Sequence, residues 1–321
     1  MRKKLISVVV PCYNEEDNVI PLSEAILELF KTSLTNYDLE LLFIDNNSKD
    51  KTREYLREIC KKNKCVKAIF NAKNFGQFNS PYYALTQATG DCAILVCADF
   101  QDPLDMLPKF IEEWENDHKV VIGTKNKSKT NKFIHFLRGI YYKLIKKFSN
   151  VEQIEHFTGF GLYDRSFLEI LKKLDDPTPF LRGIVGEYGF KVKEIPYVQE
   201  KRKAGKTKNN FASLYDASML SVTSYTKVGL RVATFIGFFV SLISFITGIV
   251  YLILKFCYWN RFSAGTIPIL LAVLFIGGVQ LIFTGVMGEY IMSINKRVMK
   301  RPLVIEEERI NFDNKEEKGD K

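Results

Sequence analysis

The sequence predicts an α/β fold, a mostly parallel sheet with helices on both faces, followed by a two-helix transmembrane hairpin. Two patterns carry that expectation. Short continuous runs of β-branched and aliphatic residues alternate with segments of helical apolar spacing through about the first 200 residues, which is the pattern of crossover-connected parallel strands. Beyond them, residues 232–254 and 262–288 carry no charge at all. Each run exceeds the roughly 18–20 apolar positions that a helix needs to cross a bilayer.

The first element is residues 5–10, an aliphatic run ended by Pro11, which reads as a strand buried on both faces. Residues 14–31 follow with Val19, Leu22, Ile26, Leu29 and Phe30 at helical spacing, and residues 39–44 return to a buried strand. Residues 50–62 read as a helix capped by Ser48 or Asp50. Residues 66–70, 93–96 and 119–122 continue the alternation. Residues 132–148 place Phe133, Phe136, Leu137, Ile140, Tyr141, Leu144, Ile145 and Phe148 on one helical face beside five basic residues, the pattern of a helix lying in the headgroup layer or packed on a core. Residues 211–231 read as a juxtamembrane amphipathic segment, and residues 289–321 as an exposed cytosolic tail.

Residues 255–261 are too few for a domain, so the two uncharged runs predict a hairpin with both flanks on one side of the membrane. Lys227, Arg231, Lys296, Arg297, Lys300 and Arg301 outnumber Lys255 and Arg261, which places the catalytic part, residues 1–210, in the cytoplasm and the protein in the plasma (inner) membrane as a multi-pass protein. Only six apolar residues follow the basic start, fewer than a signal peptide's core requires. The six cysteines show no metal-ligand spacing and are expected as free thiols. The net charge of +9 suits anionic headgroups and phosphorylated substrates rather than nucleic acid once the hairpin is considered. Gly277, Gly278 and Gly285 would allow a homo-oligomer through close helix packing.

Ligands of parallel α/β sheets sit beyond the carboxyl ends of the strands. No GxGxxG and no GxxxxGK[ST] occurs, which excludes the commonest dinucleotide and P-loop signatures. Instead the strand ends carry Pro11-Cys12-Tyr13-Asn14-Glu15, Asp45-Asn46-Asn47-Ser48 and Cys97-Ala98-Asp99-Phe100-Gln101-Asp102-Pro103. A nucleotide base needs an acceptor for its N–H and a flat side chain beside its ring, roles that Asp45 and Tyr13 suit, with Glu15 near the ribose or base. A leaving diphosphate calls for a hard divalent cation, and Asp99 with Gln101 offers oxygen ligands.

These stretches resemble the PxYNE, DDxS and DADxQDP signatures of family 2 glycosyltransferases with the GT-A fold. The resemblance continues through Lys73-Asn74-Phe75-Gly76, Leu181-Arg182-Gly183, Gly205-Lys206-Thr207-Lys208 and Gly288-Glu289-Tyr290, and it is greatest to the polyisoprenyl-phosphate branch of dolichol-phosphate mannose synthases and bactoprenol glucosyl transferases. It implies a nucleotide site at Pro11, Tyr13, Glu15, Asp45 and Lys73. It implies Mg²⁺ or Mn²⁺ on Asp99 and Gln101, and phosphate contacts from Arg182, Arg202, Lys206 and Lys208. It also implies a UDP-sugar donor, a membrane polyisoprenyl phosphate acceptor and inversion at the anomeric carbon.

The chain departs from the family twice. Cys97 replaces the first acid of DADxQDP, and thiolate is a poor ligand for hard cations. Gly159 and Gly161 replace an acid and an arginine, which leaves Glu155 and Asp164 as nearby candidates for a base, with Asp164 equally a structural partner of Arg165. A phosphate acceptor, largely dianionic at neutral pH, needs positioning more than deprotonation. The alternatives are a processive polysaccharide synthase, which needs more spans and a QxxRW motif that is missing here, and a catalytically weak scaffold subunit.

Overall fold

The computed structural model describes residues 2–125, 154, 156–174, 176–188, 190–200, 219–220, 223, 228–257 and 266–312. The chain divides into two compact units, one of residues 1–139, 151–209 and 299–321, the other of residues 140–150 and 210–298.

Among the described residues the first unit has eight strands: β1 Lys4–Cys12, β2 Tyr37–Asp45, β3 Val66–Asn71, β4 Cys92–Leu95, β5 Val120–Lys125, β6 Phe157–Asp164, β7 Val192–Tyr197 and β8 Glu306–Ile310. They form one sheet in the order β7-β5-β6-β4-β1-β2-β3-β8. β4, β1, β2 and β3 are parallel, as the alternation predicts. β6 runs antiparallel to both β4 and β5, so the sheet is mixed on that side.

Residues 6–10 of β1 and 40–45 of β2 are buried on both faces, the reason they read as unbroken apolar runs rather than alternating ones. Helices α1 (Val19–Thr32), α2 (Thr52–Lys62) and α4 (Met106–Glu115) cover one face. Their Val19, Leu22, Ile26, Leu56, Leu107 and Phe110 pack with Ile6, Val8, Val10, Leu41 and Phe43 in one core. Each fully buried side chain of this size contributes about 1.5–3 kcal/mol relative to exposure. α3 (Gly76–Gln87) and α5 (Arg165–Leu174) lie against the sheet as well, α3 on β1, β2 and β4 and α5 on β4 and β6. A short α6 (Leu181–Glu187) sits beside β6.

The expectation of an exposed tail after residue 289 is corrected. Residues up to Val298 continue a helix, and β8 then returns to pair antiparallel with β3. An edge strand presents unpaired N–H and C=O groups, and a following extended segment satisfies them. β8 is fixed further by Arg53 to Glu307 and Arg57 to Glu308, and by Asn311, whose amide donates to the carbonyls of Cys60 and Val66.

The second unit contains α7 (Val228–Cys257) and α8 (Thr266–Val298). Large apolar side chains including Phe235, Phe238, Phe245, Phe275, Leu281 and Ile282 are exposed on them. Among the described residues one segment, Phe275–Val298, is long and apolar enough to cross a membrane, while Thr234–Val250 is a shorter apolar stretch. The predicted basic helix over 132–148 and most of the juxtamembrane segment lie outside the described residues.

Candidate active site

Four loops meet at one edge of the sheet because β1, β2, β3 and β4 all end there. Each of three loops holds a residue in the left-handed region, two, two and five residues beyond its strand: Asn14 (φ +54°), Asn47 (φ +64°) and Phe100 (φ +59°). Asparagine tolerates that conformation, but for phenylalanine it is strained and persists only where the surroundings enforce it.

Interlocking hydrogen bonds tie the loops after β1, β2 and β3 to one another. The Asn14 N–H donates to Ser48 Oγ (2.8 Å), the Lys49 N–H to Asn14 Oδ1 (2.7 Å) and the Glu15 N–H to Thr52 Oγ1 (2.9 Å). Asn46 joins the next loop, its amide donating to Asn74 Oδ1 (3.0 Å) and its Oδ1 accepting from the Phe75 N–H (2.9 Å). Pro11, Tyr13 and Glu15 are half-buried here and Lys73 is exposed. Glu15 Oε2 accepts from Asn18 (2.7 Å) at the start of α1.

Asp45, expected to face a nucleotide base, is fully buried instead. Both its oxygens accept from the Ser48 N–H, at 3.3 and 3.1 Å, and Arg53 Nε lies 3.3 Å from Oδ2. Its pKa is raised by desolvation, against the opposing bonds from Ser48 and the charge of Arg53. In this structure Asp45 shapes the loop rather than presenting a carboxylate to a ligand.

The acidic loop follows β4. Asp99 and Asp102 are both buried. Asp99 Oδ1 accepts from the Gln101 N–H (3.1 Å), which closes a tight turn and places the half-buried Gln101 beside it. Asp102 turns inward: Oδ2 accepts from the Cys97 N–H (3.0 Å) and Oδ1 from the Tyr197 hydroxyl (3.1 Å). Desolvation raises its pKa, opposed by those bonds. Cys97 is exposed, and desolvation, then the charges of Asp102 and Asp99, push its thiol pKa up.

Oxygens of Asp99 and Gln101, rather than the Cys97 sulfur, are the groups in this loop whose chemistry fits a hard cation such as Mg²⁺ or Mn²⁺. Among the described residues no group of three or more His, Cys, Asp and Glu side chains forms a self-sufficient metal site.

Because β6 is antiparallel, its start lies at this edge and its end at the other. Gly159 (φ +107°) borders the site beside Leu95, in a backbone conformation that a residue with a Cβ rarely adopts. Gly161 pairs with Leu95 and Ile122, where a Cβ would come 2.5 Å from the Val121 carbonyl oxygen, so β5 and β6 approach too closely for an arginine there. Asp164 is corrected as a catalytic candidate. It pairs with Cys92 at the amino end of β4, about 10 Å along the strand from Leu95. There it accepts from Trp114 Nε1 (2.8 Å), from the Ser166 N–H (3.0 Å) and from the Ser166 hydroxyl (2.5 Å). Arg165 is not its partner; the guanidinium donates to the Ala88 and Gly90 carbonyls.

Sequence reasoning missed Lys125. It ends β5 at the same edge as Asp99, in register with Tyr197. Desolvation pushes its ammonium pKa down; Asp102 and Cys97 oppose that, Arg182 adds to it, and Asp99 opposes it. Lys125 thus places a cation within electrostatic reach of both aspartates and of the exposed Arg182, and its signal was only a lysine closing a buried strand. Arg202, Lys206, Lys208 and Glu155 lie outside the described residues.

Residues 7–171 match the family described as Glycosyl transferase family 2. The chain is similar to the prophage bactoprenol glucosyl transferase homolog of Escherichia coli (strain K12), 32% identical over 301 residues that cover 94% of this chain and 97% of the relative. It is likewise similar to the SfII prophage-derived bactoprenol glucosyl transferase of Shigella flexneri, 33% identical across 94% of this chain and 96% of the relative. The bactoprenol glucosyl transferase of Shigella phage SfX is 33% identical across 92% and 97%. With a matched region from β1 into α5 and relatives aligned over nearly their whole length, the chain belongs to glycosyl transferase family 2.

Proposed function

We propose that the protein is a membrane-associated, inverting glycosyltransferase that moves a sugar from a nucleotide donor, a UDP-sugar by the family resemblance, to a polyisoprenyl phosphate. The observation that carries this reading is the similarity to bactoprenol glucosyl transferases across both the sheet unit and the apolar helices α7 and α8. Those helices, with their exposed apolar faces, support a membrane anchor, and the basic residues flanking the uncharged runs favour the cytoplasmic side for the catalytic unit.

On this reading Pro11, Tyr13, Glu15 and Lys73, with the loop that Asp45 shapes, receive the nucleotide at the carboxyl edge. Asp99 and Gln101 hold Mg²⁺ or Mn²⁺, which supplies positive charge to the departing diphosphate. Lys125 and Arg182 add fixed cations on the same side, stabilising charge as it develops. Gly159 leaves the place of the missing acid open beside Leu95, and an already ionised phosphate oxygen attacks the anomeric carbon without a dedicated base. Arg202, Lys206 and Lys208 are assigned by resemblance to the acceptor phosphate. Homo-oligomerisation through α8 remains part of the proposal.

The test is product formation in membranes from polyisoprenyl phosphate, polyisoprenol and a soluble sugar, for the intact protein and Arg202→Ala. Only the lipid phosphate is expected to serve. Arg202→Ala is expected to weaken its use roughly tenfold or more, since a charge-assisted contact contributes about 1.5–3 kcal/mol. Equal use of the unphosphorylated alcohol, or transfer to the soluble sugar, overturns the reading in favour of a polysaccharide synthase.

A further inference from the structure

We infer that Arg53 is a positioning residue for the donor-nucleotide loop and that the C-terminal strand β8 holds it in place, so that β8 is part of the donor site's support. This rests on the nucleotide site assigned above.

The register of the sheet sets one row along the carboxyl edge: Cys12 pairs with Asp45, Asp45 with Phe70, and Phe70 with Glu308 of β8. The chain's last described strand therefore lies level with the strand ends that feed the site. Arg53 and Arg57 of α2 lie over that row, with their guanidinium carbons 5.1 and 4.8 Å from the centre of the Phe70 ring. Each then reaches an acid on β8: Arg53 Nη2 to Glu307 Oε2 at 2.8 Å, Arg57 Nη2 to Glu308 Oε2 at 2.6 Å. Arg53 alone also faces the other way, its Nε 3.3 Å from the buried Asp45 Oδ2, close enough to pair the charges although the N–H is not aligned for a hydrogen bond.

A buried carboxylate needs a compensating charge and hydrogen bonds to stay ionised. Asp45 has the Ser48 N–H and Arg53, and the loop it closes includes Asn47 at φ +64°. Arg53 has one acid on each side, so its side chain is fixed between the donor loop and β8. Without Glu307, a half-anchored guanidinium gains rotamer freedom and turns to water, and Asp45 loses its countercharge. Without Arg53, the carboxylate protonates or the loop opens. Neither change touches the scissile bond, the diphosphate oxygens that gain charge or the attacking oxygen, so the effect falls on nucleotide affinity and not on turnover at saturating donor.

The experiment uses the full chain in nanodiscs with Mn²⁺ and titrates UDP and GDP by calorimetry, alongside donor KM and kcat, for the intact protein, Arg53→Met, Arg53→Lys, Glu307→Gln and Glu307→Asp. Arg53→Met is expected to weaken nucleotide binding about tenfold and to raise donor KM in parallel, with kcat within twofold. Arg53→Lys restores part of the loss. Glu307→Gln, an exposed position that does not endanger folding, is expected to weaken binding about threefold, and Glu307→Asp to restore it. Unchanged affinity in Glu307→Gln and Arg53→Met, with only the melting temperature moved, overturns the inference and leaves the donor site standing. Failure of the intact protein to bind either nucleotide overturns the donor site itself, and the inference with it.

Discussion

Replacing Asp164 separates a catalytic from a structural carboxylate. Its oxygens accept from Trp114 Nε1 and from the N–H and hydroxyl of Ser166, at the first turn of α5. Asp164→Ala removes a helix cap, at about 1 kcal/mol, and strands the buried Trp114 N–H, at about another 1–2 kcal/mol. The sum of about 2–3 kcal/mol predicts a melting temperature lower by roughly 4–12 °C, at about 2–4 °C per kcal/mol for a unit of this size. Asp164→Asn keeps one acceptor oxygen for the three donors that converge on the carboxylate, so its loss is expected to be about half as large. Burial raises the Asp164 pKa, but the bonds from Ser166 and Trp114 and the charge of Lys119 outweigh it and leave the carboxyl below its ordinary 3.8. The stabilisation is therefore complete above that value and is lost as pH falls through the lower folded value. Thermal melts and sugar transfer per folded molecule are measured together at neutral pH. Transfer within twofold of the intact protein is expected. A fall of several orders of magnitude in a variant that still folds would refute the placement of Asp164 away from the chemistry.

Asp99→Asn is expected to cut transfer by orders of magnitude with an unchanged melt; full activity in that variant, or in excess chelator, removes the metal from Asp99. Lys125→Met is expected to lower donor kcat/KM by about tenfold or more, with Lys125→Arg retaining most of it, and an effect within twofold shows that its charge is not used. Glu40 is buried and accepts from Ser7, Lys67 and Thr89. Although desolvation raises its pKa, those bonds leave it below the ordinary 4.5, so its stabilisation is present above 4.5 and lost as pH falls through the folded value. Glu40→Gln is accordingly expected to be less stable than the intact protein at pH 7 and to lose less on acidification, as read from denaturant midpoints across pH.

The local signals were legible because they are properties of consecutive residues. Unbroken aliphatic runs marked β1, β2 and β3, helical spacing marked α1 and α2, and the polar loops directly after β1, β2 and β4 marked the edge where the site lies. Uncharged stretches marked α7 and α8. Pairing between distant segments decided the rest. The antiparallel insertion of β6 puts Gly159 at the site and Asp164 at the opposite edge, although the two stand five residues apart in the chain. The close approach of β5 and β6 explains why glycine, and not arginine, occupies position 161. Burial turned Asp45 from an expected ligand into a loop support, and the ends of β5 and β7 brought Lys125 and Tyr197 to Asp102. β8 had no periodic apolar signal of its own, because an edge strand that opens with three consecutive acids is stabilised by backbone pairing with β3 and by Arg53 and Arg57 of α2, partners about 250 residues earlier. Periodicity records which face of an element is buried, but neighbour, direction and register depend on contacts between segments that sequence spacing does not encode.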